Sequence, residues 1–249
     1  MALAFFYLSE YSPGDAGGYD PGLAEIILDE DNSRHIIQVL RMQKGQQLQL
    51  TDGRGRLLTA TIVDDHKKKC RVRVDKSILL PARAKNITIG MALLKNASRY
   101  EWFLEKAAEI GVAGIIPLLS DRTEKQHFRQ DRMQNILVSA LLQSQRVWLP
   151  VLYPPTRVEE VIRGAKQEQR LVAHCLEGED RKSLAEMVRA FDALPEGSGQ
   201  LILIGPEGDF TKNEIDTALE HGFLPVTLGE TRLRTETAGI VAAALMCIR

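Results

Sequence analysis

Cysteine is scarce in these 249 residues: Cys70, Cys175 and Cys247 stand far apart, odd in number, with no C-x-x-C. That pattern excludes a disulfide framework and a structural zinc site, and it fits a reduced compartment. No apolar run approaches the roughly 20 residues that a membrane-spanning helix needs. The N-terminus shows no basic-then-apolar export pattern, so the expected location is the cytoplasm. The dinucleotide fingerprint G-x-G-x-x-G is missing, and so is the phosphate loop G-x-x-x-x-G-K-[ST] of NTPases. Neither H-E-x-x-H nor another metal-ligand spacing occurs, and the histidines at 35, 66, 127, 174 and 221 are scattered. No metal site is expected, and no Ser-His-Asp set emerges from spacing. His174-Cys175 falls at a predicted strand end, where it either lines a pocket or packs inward.

What is present is an ordinary globular composition, 44% hydrophobic and 26% charged, long enough for two modest domains or one large one. The net charge of −1 conceals a gradient. Residues 31–76 carry eleven basic and five acidic side chains, and residues 81–149 carry ten and six. The last hundred residues carry eleven basic and sixteen acidic. Positive charge thus gathers in the first 150 residues, either as a solvated face or as a surface for phosphates.

The first 80 residues read as mostly β. A strand is expected over Ala4–Leu8 and a loop over Gly14–Gly22. A short helix is expected over Ser33–Arg41, capped by Asp31 or Asn32, with Ile36, Ile37, Val39 and Leu40 buried. Strands at Gln47–Thr51, Leu57–Val63 and Cys70–Ile78 complete a small barrel or sandwich. Beyond Pro81 strands and helices alternate, the pattern of a parallel sheet covered on both faces. Strands are predicted at Ile87–Leu93, Gly114–Leu119, Leu171–Cys175, Leu201–Ile204 and Pro225–Leu228. Helices are predicted at Arg99–Ile110 (Trp102, Phe103, Ala107 and Ile110 near one side, Gly111 as stop), Arg129–Arg146, Ser183–Ala190, Thr211–His221 and Thr235–Ile248. The expected domains are 1–78 and 79–249.

Two loops concentrate the polar chemistry. In LILIGPEGDF, residues 201–210, a buried strand stops at Gly205-Pro206-Glu207-Gly208, and Thr211 with Glu214 forms a capping box for the next helix. A strand, a bare loop and a helix N-terminus in succession make the ligand-binding edge of an open α/β sheet. One βα unit later, LGETRLRTETA at 228–238 runs from a strand end into the last helix, with Thr235 or its neighbour as cap. Arg232 and Arg234 add two permanent cations suited to phosphate or carboxylate. Taken singly, each loop also reads as a capped helix with surface charge.

These segments, LIGPEGDF at 203–210 and LGETRLRTETAG at 228–239, closely resemble the signature of the RsmE-type ribosomal RNA methyltransferases, of the SPOUT class. Arg34-His35 with Val39-Leu40-Arg41-Met42 resembles the family's RH…VLR helix. KNASRYEWFLEKAAEIGV, from Lys95 through Arg99 and Glu101, resembles another of its segments, and Gln143-Ser144 with Arg146 and Pro150 a third. Leu142 departs from the pattern where many relatives carry Glu, and Asp209 where many carry a second Gly.

The resemblance implies a SPOUT-type parallel sheet with a C-terminal trefoil knot, preceded by a small PUA-like β-barrel that holds RNA. It implies S-adenosyl-L-methionine as cofactor, bent in loops at the end of Leu171–Cys175, at Ile204–Gly208 and at Leu228–Ala238. The residues so marked are His174, Cys175, Ile204, Gly205, Pro206, Glu207, Gly208, Leu228, Gly229, Leu233, Thr235, Thr237 and Ala238. It implies methyl transfer to N3 of a uridine in 16S ribosomal RNA, a homodimer, and no metal. Uracil N3 carries a hydrogen, so the reaction needs a base or a cation that stabilises the uracil anion. Arg234 and Arg232 are candidates for the cation or for a phosphate contact. Glu236 is a candidate base or a cap of its own helix. Arg34, His35, Arg41, Lys95, Arg99 and Arg146 are the candidate RNA contacts. A non-catalytic RNA-binding protein on the same fold and a metabolic enzyme for a small nucleotide are the competing readings.

Overall fold

The computed structural model describes residues 3–9, 25–82, 86–124, 127–176 and 180–248, which fall into two units. The expected loop at Gly14–Gly22 lies outside them. One unit is Met1–Ala82 with Leu141–Leu149, and the other is Arg83–Ala140 with Pro150–Arg249.

The first unit is built on five strands: β1 (Phe5–Tyr7), β2 (Glu25–Ile27), β3 (Gln47–Thr51), β4 (Arg56–Asp64) and β5 (Arg71–Leu79). Their order is β1-β3-β4-β5-β2, with β1 parallel to β3 and the other pairs antiparallel. Alternate residues Leu48, Leu50, Leu58, Ala60 and Ile62 turn inward, the two-residue period of a half-buried sheet. They share one core with Phe6, Leu28, Ile36, Val72 and Val74.

A short helix, α1 (Glu30–Arg34), is capped by Asp29, whose carboxylate accepts from the Asn32 N–H. The cap expected at Asp31 or Asn32 therefore sits slightly upstream. The helix continues as a π-helical turn, His35–Val39, closed by the Leu40 N–H donating to the His35 carbonyl. Bonding at i→i+5 widens the turn and shifts the phase of the side chains. Ile36 stays buried, but Val39 and Leu40, expected inside, are 66% and 45% exposed.

From residue 86 the chain carries β6 (Asn86–Ala92), α2 (Ala97–Ile110), β7 (Gly114–Leu119), α3 (Gln130–Gln143), β8 (Val151–Leu152), β9 (Thr156–Arg157) and α4 (Val158–Gly164). There follow β10 (Gln169–Ala173), β11 (Lys182–Ser183), α5 (Leu184–Asp192), β12 (Gly199–Ile204), α6 (Lys212–Glu220), β13 (Leu224–Thr227) and α7 (Thr235–Cys247). The strands make one sheet ordered β11-β13-β10-β12-β6-β7-β8, with β9 also on β7. Every pairing in it is parallel.

Helices cover both faces. Val161 and Ile162 of α4 and Ile215 and Ala218 of α6 share a core with Ala92, Leu201 and Leu203. Met91, next to Ala92, points to the opposite face, as strand geometry requires. There it meets the packed pair α2 and α7 so closely that a Cβ on Gly239 would lie 2.8 Å from Met91 Sδ and 2.7 Å from the Phe103 ring. Trp102 of α2, expected on the inner side, is 44% exposed. Gly111 ends α2 in the left-handed conformation at φ 107, the usual helix stop. The expected capping box is present: the Thr211 hydroxyl accepts from the Glu214 N–H while the Glu214 carboxylate accepts from the Thr211 N–H. On α7 the N-cap position falls to Arg234, the neighbour of Thr235, but its side chain makes no capping hydrogen bond.

Candidate active site

Because the sheet is parallel, the carboxyl ends of its strands lie along one edge. The strand register matches Ala173 of β10 with Ile204 of β12 on one side and with Val226 of β13 on the other. Three neighbouring strands therefore end level. The segments that leave them, starting at His174, Gly205 and Leu228, open onto the same space. β10 lies between two strands that come later in the chain, the kind of strand-order switch at which α/β sheets leave a crevice.

The three segments surround a cavity of about 640 Å³. Of the residues marked in the sequence, His174, Cys175, Ile204, Gly205, Pro206, Glu207, Leu228, Gly229, Leu233, Thr235 and Ala238 line it, as do Arg232 and Arg234. Gly208 and Thr237 do not contribute to the lining, although each adjoins a residue that does. Glu236 is also off the wall. Its carboxylate is nearly buried and faces α2, with Oε1 3.6 Å from Arg99 Nε. The other oxygen, Oε2, has no hydrogen-bond partner among the described residues.

The loop after β12 is braced at several points. Gly205 is set by its own loop, since a Cβ there would lie 3.0 Å from the Phe210 backbone nitrogen. The Gly208 carbonyl accepts from Arg122 Nη1 at 2.5 Å. Buried Glu214 also accepts the Asp121 N–H at 3.0 Å, which ties the start of α6 to the segment after β7. In the loop after β13, Gly229 has φ 140, a conformation that favours glycine, and nothing would obstruct a Cβ there. The residue is thus selected by backbone shape rather than by crowding. Arg232 and Arg234 are exposed on the rim, and no ion pair to either occurs among the described residues.

Arg181, Asp209 and Thr231 line the cavity without having been marked from the sequence. The missing signal is the parallel register. Once β10, β12 and β13 are known to end together, polar residues just beyond each end become candidates. Arg181 sits before the two-residue strand β11, which has too little pattern to be read.

The expected RNA contacts divide between the units. In the first, Arg34 is paired with Glu30 at 2.6 Å, His35 meets Phe6 edge-on at 5.8 Å, and Arg41 is exposed with φ 54. Arg146 is half-buried there. In the second unit, Lys95 lies 2.8 Å from Glu124. The hydrogen bond to Glu124 raises the Lys95 ammonium above its ordinary pKa, and the nearby charges of Glu124 and Glu207 add to this. Exposed pairs of this kind are individually weak, so phosphate can replace the carboxylates. Arg99 faces Glu236. No group of metal-ligating side chains occurs among the described residues, and no helix there is long and apolar enough to cross a membrane.

Comparison with known proteins adds a consistent set of matches. The RNA methyltransferase domain family matches residues 81–247, and the RNA methyltransferase PUA domain family matches residues 28–75. The ribosomal RNA small subunit methyltransferase E of Mycobacterium tuberculosis is 31% identical over 233 residues, spanning 88% of this chain and 84% of that protein. The crystal structure of a probable rRNA-methyltransferase from Porphyromonas gingivalis matches at TM-score 0.82 and 38% identity, covering 97% of this chain and 95% of that one. The ribosomal RNA small subunit methyltransferase E from Neisseria gonorrhoeae, bound to S-adenosyl methionine, matches at TM-score 0.79 and 29% identity, over 98% and 97% of the two chains.

Proposed function

Because this chain belongs to the ribosomal RNA small subunit methyltransferase E family, we propose that it transfers a methyl group from S-adenosyl-L-methionine to N3 of a uridine in 16S ribosomal RNA. Its fold is of the SPOUT type, a parallel sheet preceded by a PUA-like unit, and in this reading the chain ties the family's C-terminal trefoil knot around the cofactor loops. One observation carries the proposal. Three level strand ends enclose a cavity of about 640 Å³ with two arginines on its rim, Arg232 and Arg234, that form no ion pair among the described residues.

The residues present fit the cofactor. The cavity lies within the roughly 300–1,000 Å³ of small-molecule sites. Ile204, Pro206, Val226, Leu228 and Leu233 give its wall an apolar part for an adenine and a thioether, and polar residues such as Glu207 and Thr235 stand beside them for the ribose and the amino-acid end. In this reading backbone groups of Gly205, Gly208, Leu228 and Leu233 hold the adenosine, and Glu207 bonds a ribose hydroxyl or anchors its loop; Gly205, Glu207, Leu228 and Leu233 line the cavity, which supports the reading. When bound, the cofactor supplies an electrophilic methyl carbon on a sulfonium that leaves as a neutral thioether. The chain's own task is to hold the two reactants in line and to manage the N3 proton. Arg234 and Arg232 do the second by stabilising the uracil anion after its proton passes to solvent. Glu236 holds Arg99 and the start of α7 instead of acting as base, since its carboxylate is turned from the cavity.

RNA is held by Arg34, His35, Arg41 and Arg146 on the 1–78 domain and its appended segment, and by Lys95 and Arg99 on the 79–249 domain. The protein works in the cytoplasm as a homodimer whose second copy completes the site. Nucleoside mapping by mass spectrometry tests the proposal. Small-subunit RNA from cells lacking the protein loses a 3-methyluridine that returns on complementation. An unchanged modification pattern contradicts it.

A further inference from the structure

The peptide group joining His174 to Cys175 is gripped from both sides. Its carbonyl oxygen accepts a hydrogen bond from Arg181 Nη1 at 2.5 Å, and its N–H donates to Asp209 Oδ2 at 2.7 Å. The second carboxylate oxygen, Asp209 Oδ1, accepts from the Phe210 N–H at 2.8 Å. Both contacts to the peptide are charge-assisted, and such bonds are about twice as strong as neutral ones. They come from opposite directions, because the two polar groups of a trans peptide point apart. Arg181 lies in the segment before β11 and Asp209 in the loop after β12, so one peptide plane links three parts of the cavity wall. All four residues line the cavity.

Asp209 reaches this position from a left-handed backbone, at φ 64. Asp, Asn and Gly are the residues that tolerate that conformation. The sequence pattern this chain resembles has glycine here. Asp209 keeps the backbone shape that glycine provides and adds a tether that glycine lacks.

We propose that Asp209 and Arg181 are positioning residues for the cofactor. By fixing the His174–Cys175 peptide they hold the cavity wall in its binding shape before the cofactor arrives, which lowers the ordering cost of binding. The inference rests on the reading of this cavity as the S-adenosyl-L-methionine site. It concerns cofactor affinity, and the methyl-transfer step itself does not depend on the clamp.

Calorimetry with S-adenosyl-L-methionine on the full chain tests it, using wild type, Asp209→Gly, Asp209→Asn, Arg181→Met and the double variant Asp209→Gly/Arg181→Met. Glycine suits φ 64, so Asp209→Gly folds without strain. The expected result is a Kd raised about tenfold for each single replacement that removes a tether, with kcat at saturating cofactor within about threefold of wild type. Asp209→Asn keeps a carbonyl acceptor and recovers most of the affinity. The double variant loses less than the product of the single effects, because both tethers act on one peptide. Amide hydrogen exchange in the protein without cofactor gives a second reading: the Cys175 N–H exchanges about tenfold faster in Asp209→Gly. Wild-type Kd in Asp209→Gly, or unchanged Cys175 exchange, overturns the inference while leaving the cavity assignment intact. If wild type itself gives no heat with the cofactor, the cavity assignment falls, and the inference with it.

Discussion

The carboxylate of Glu236 stands 3.6 Å from the Arg99 guanidinium Nε, joining the first turn of α7 to α2. It is the one acidic side chain in that turn, and it looks away from the cavity that its neighbours line. Glu236→Gln keeps the shape and should leave kcat within about tenfold of wild type, since a positioned general base contributes about 10²–10⁴. Steady-state methyl transfer measures this, and a larger loss would return Glu236 to the role of base. Arg99→Ala strands a nearly buried carboxylate and should lower stability by about 1–2 kcal/mol in denaturant titration.

Arg234 is different, because it lies on the rim with no ion pair among the described residues. Arg234→Ala should slow methylation by about 10²–10³ while the fold and cofactor affinity persist, the scale seen when one donor to a developing oxyanion is removed. Circular dichroism and single-turnover kinetics report the two sides. Wild-type turnover would refute the assignment.

Arg41 is exposed at the end of the π-helical turn. Arg41→Ala should weaken binding to small-subunit RNA and lower the salt slope of log K by about 1. Filter binding across a salt series measures it, and an unaltered slope removes Arg41 from the RNA surface.

Cys175 is an exposed thiol on the cavity wall, whereas Cys70 is buried and its thiol is pushed up to about 11 by burial. A thiol-alkylating reagent should therefore label Cys175 and spare Cys70, and S-adenosyl-L-methionine should protect Cys175. Peptide mass mapping shows the outcome. Labelling unaffected by saturating cofactor would place the ligand elsewhere.

Gly239 leaves no room where α7 crosses Phe103 and Met91. Gly239→Ala should cost about 1–3 kcal/mol by overpacking, more than the helix propensity of alanine returns. Thermal melts check this, and a stabilised variant would mean that the helices part easily.

The parts of the molecule legible in the sequence were those governed by local pattern. β3 occupies the residues alternation predicted, Gln47–Thr51, and α6 starts at the capping box of Thr211 and Glu214. The two polar loops were visible for the same reason, because strand stops and helix starts are written in consecutive residues. What escaped depends on partners distant in sequence. Glu236 turns from the cavity because Arg99 awaits it on another helix. Asp209 and Arg181 matter because they meet at one peptide. β8, β9 and β11, two residues each, exist only through pairing with longer neighbours. The exposure of Val39 and Leu40 follows from a π-helical turn that a 3.6-residue period does not foresee.

The most direct measurement is transfer of a labelled methyl group. The purified protein is incubated with small ribosomal subunits from cells lacking it and with methyl-labelled S-adenosyl-L-methionine, and the RNA is digested to nucleosides. The label should appear in 3-methyluridine, and the Arg234→Ala protein should leave it almost unlabelled. Label on a ribose, on another base, or on nothing would contradict the account.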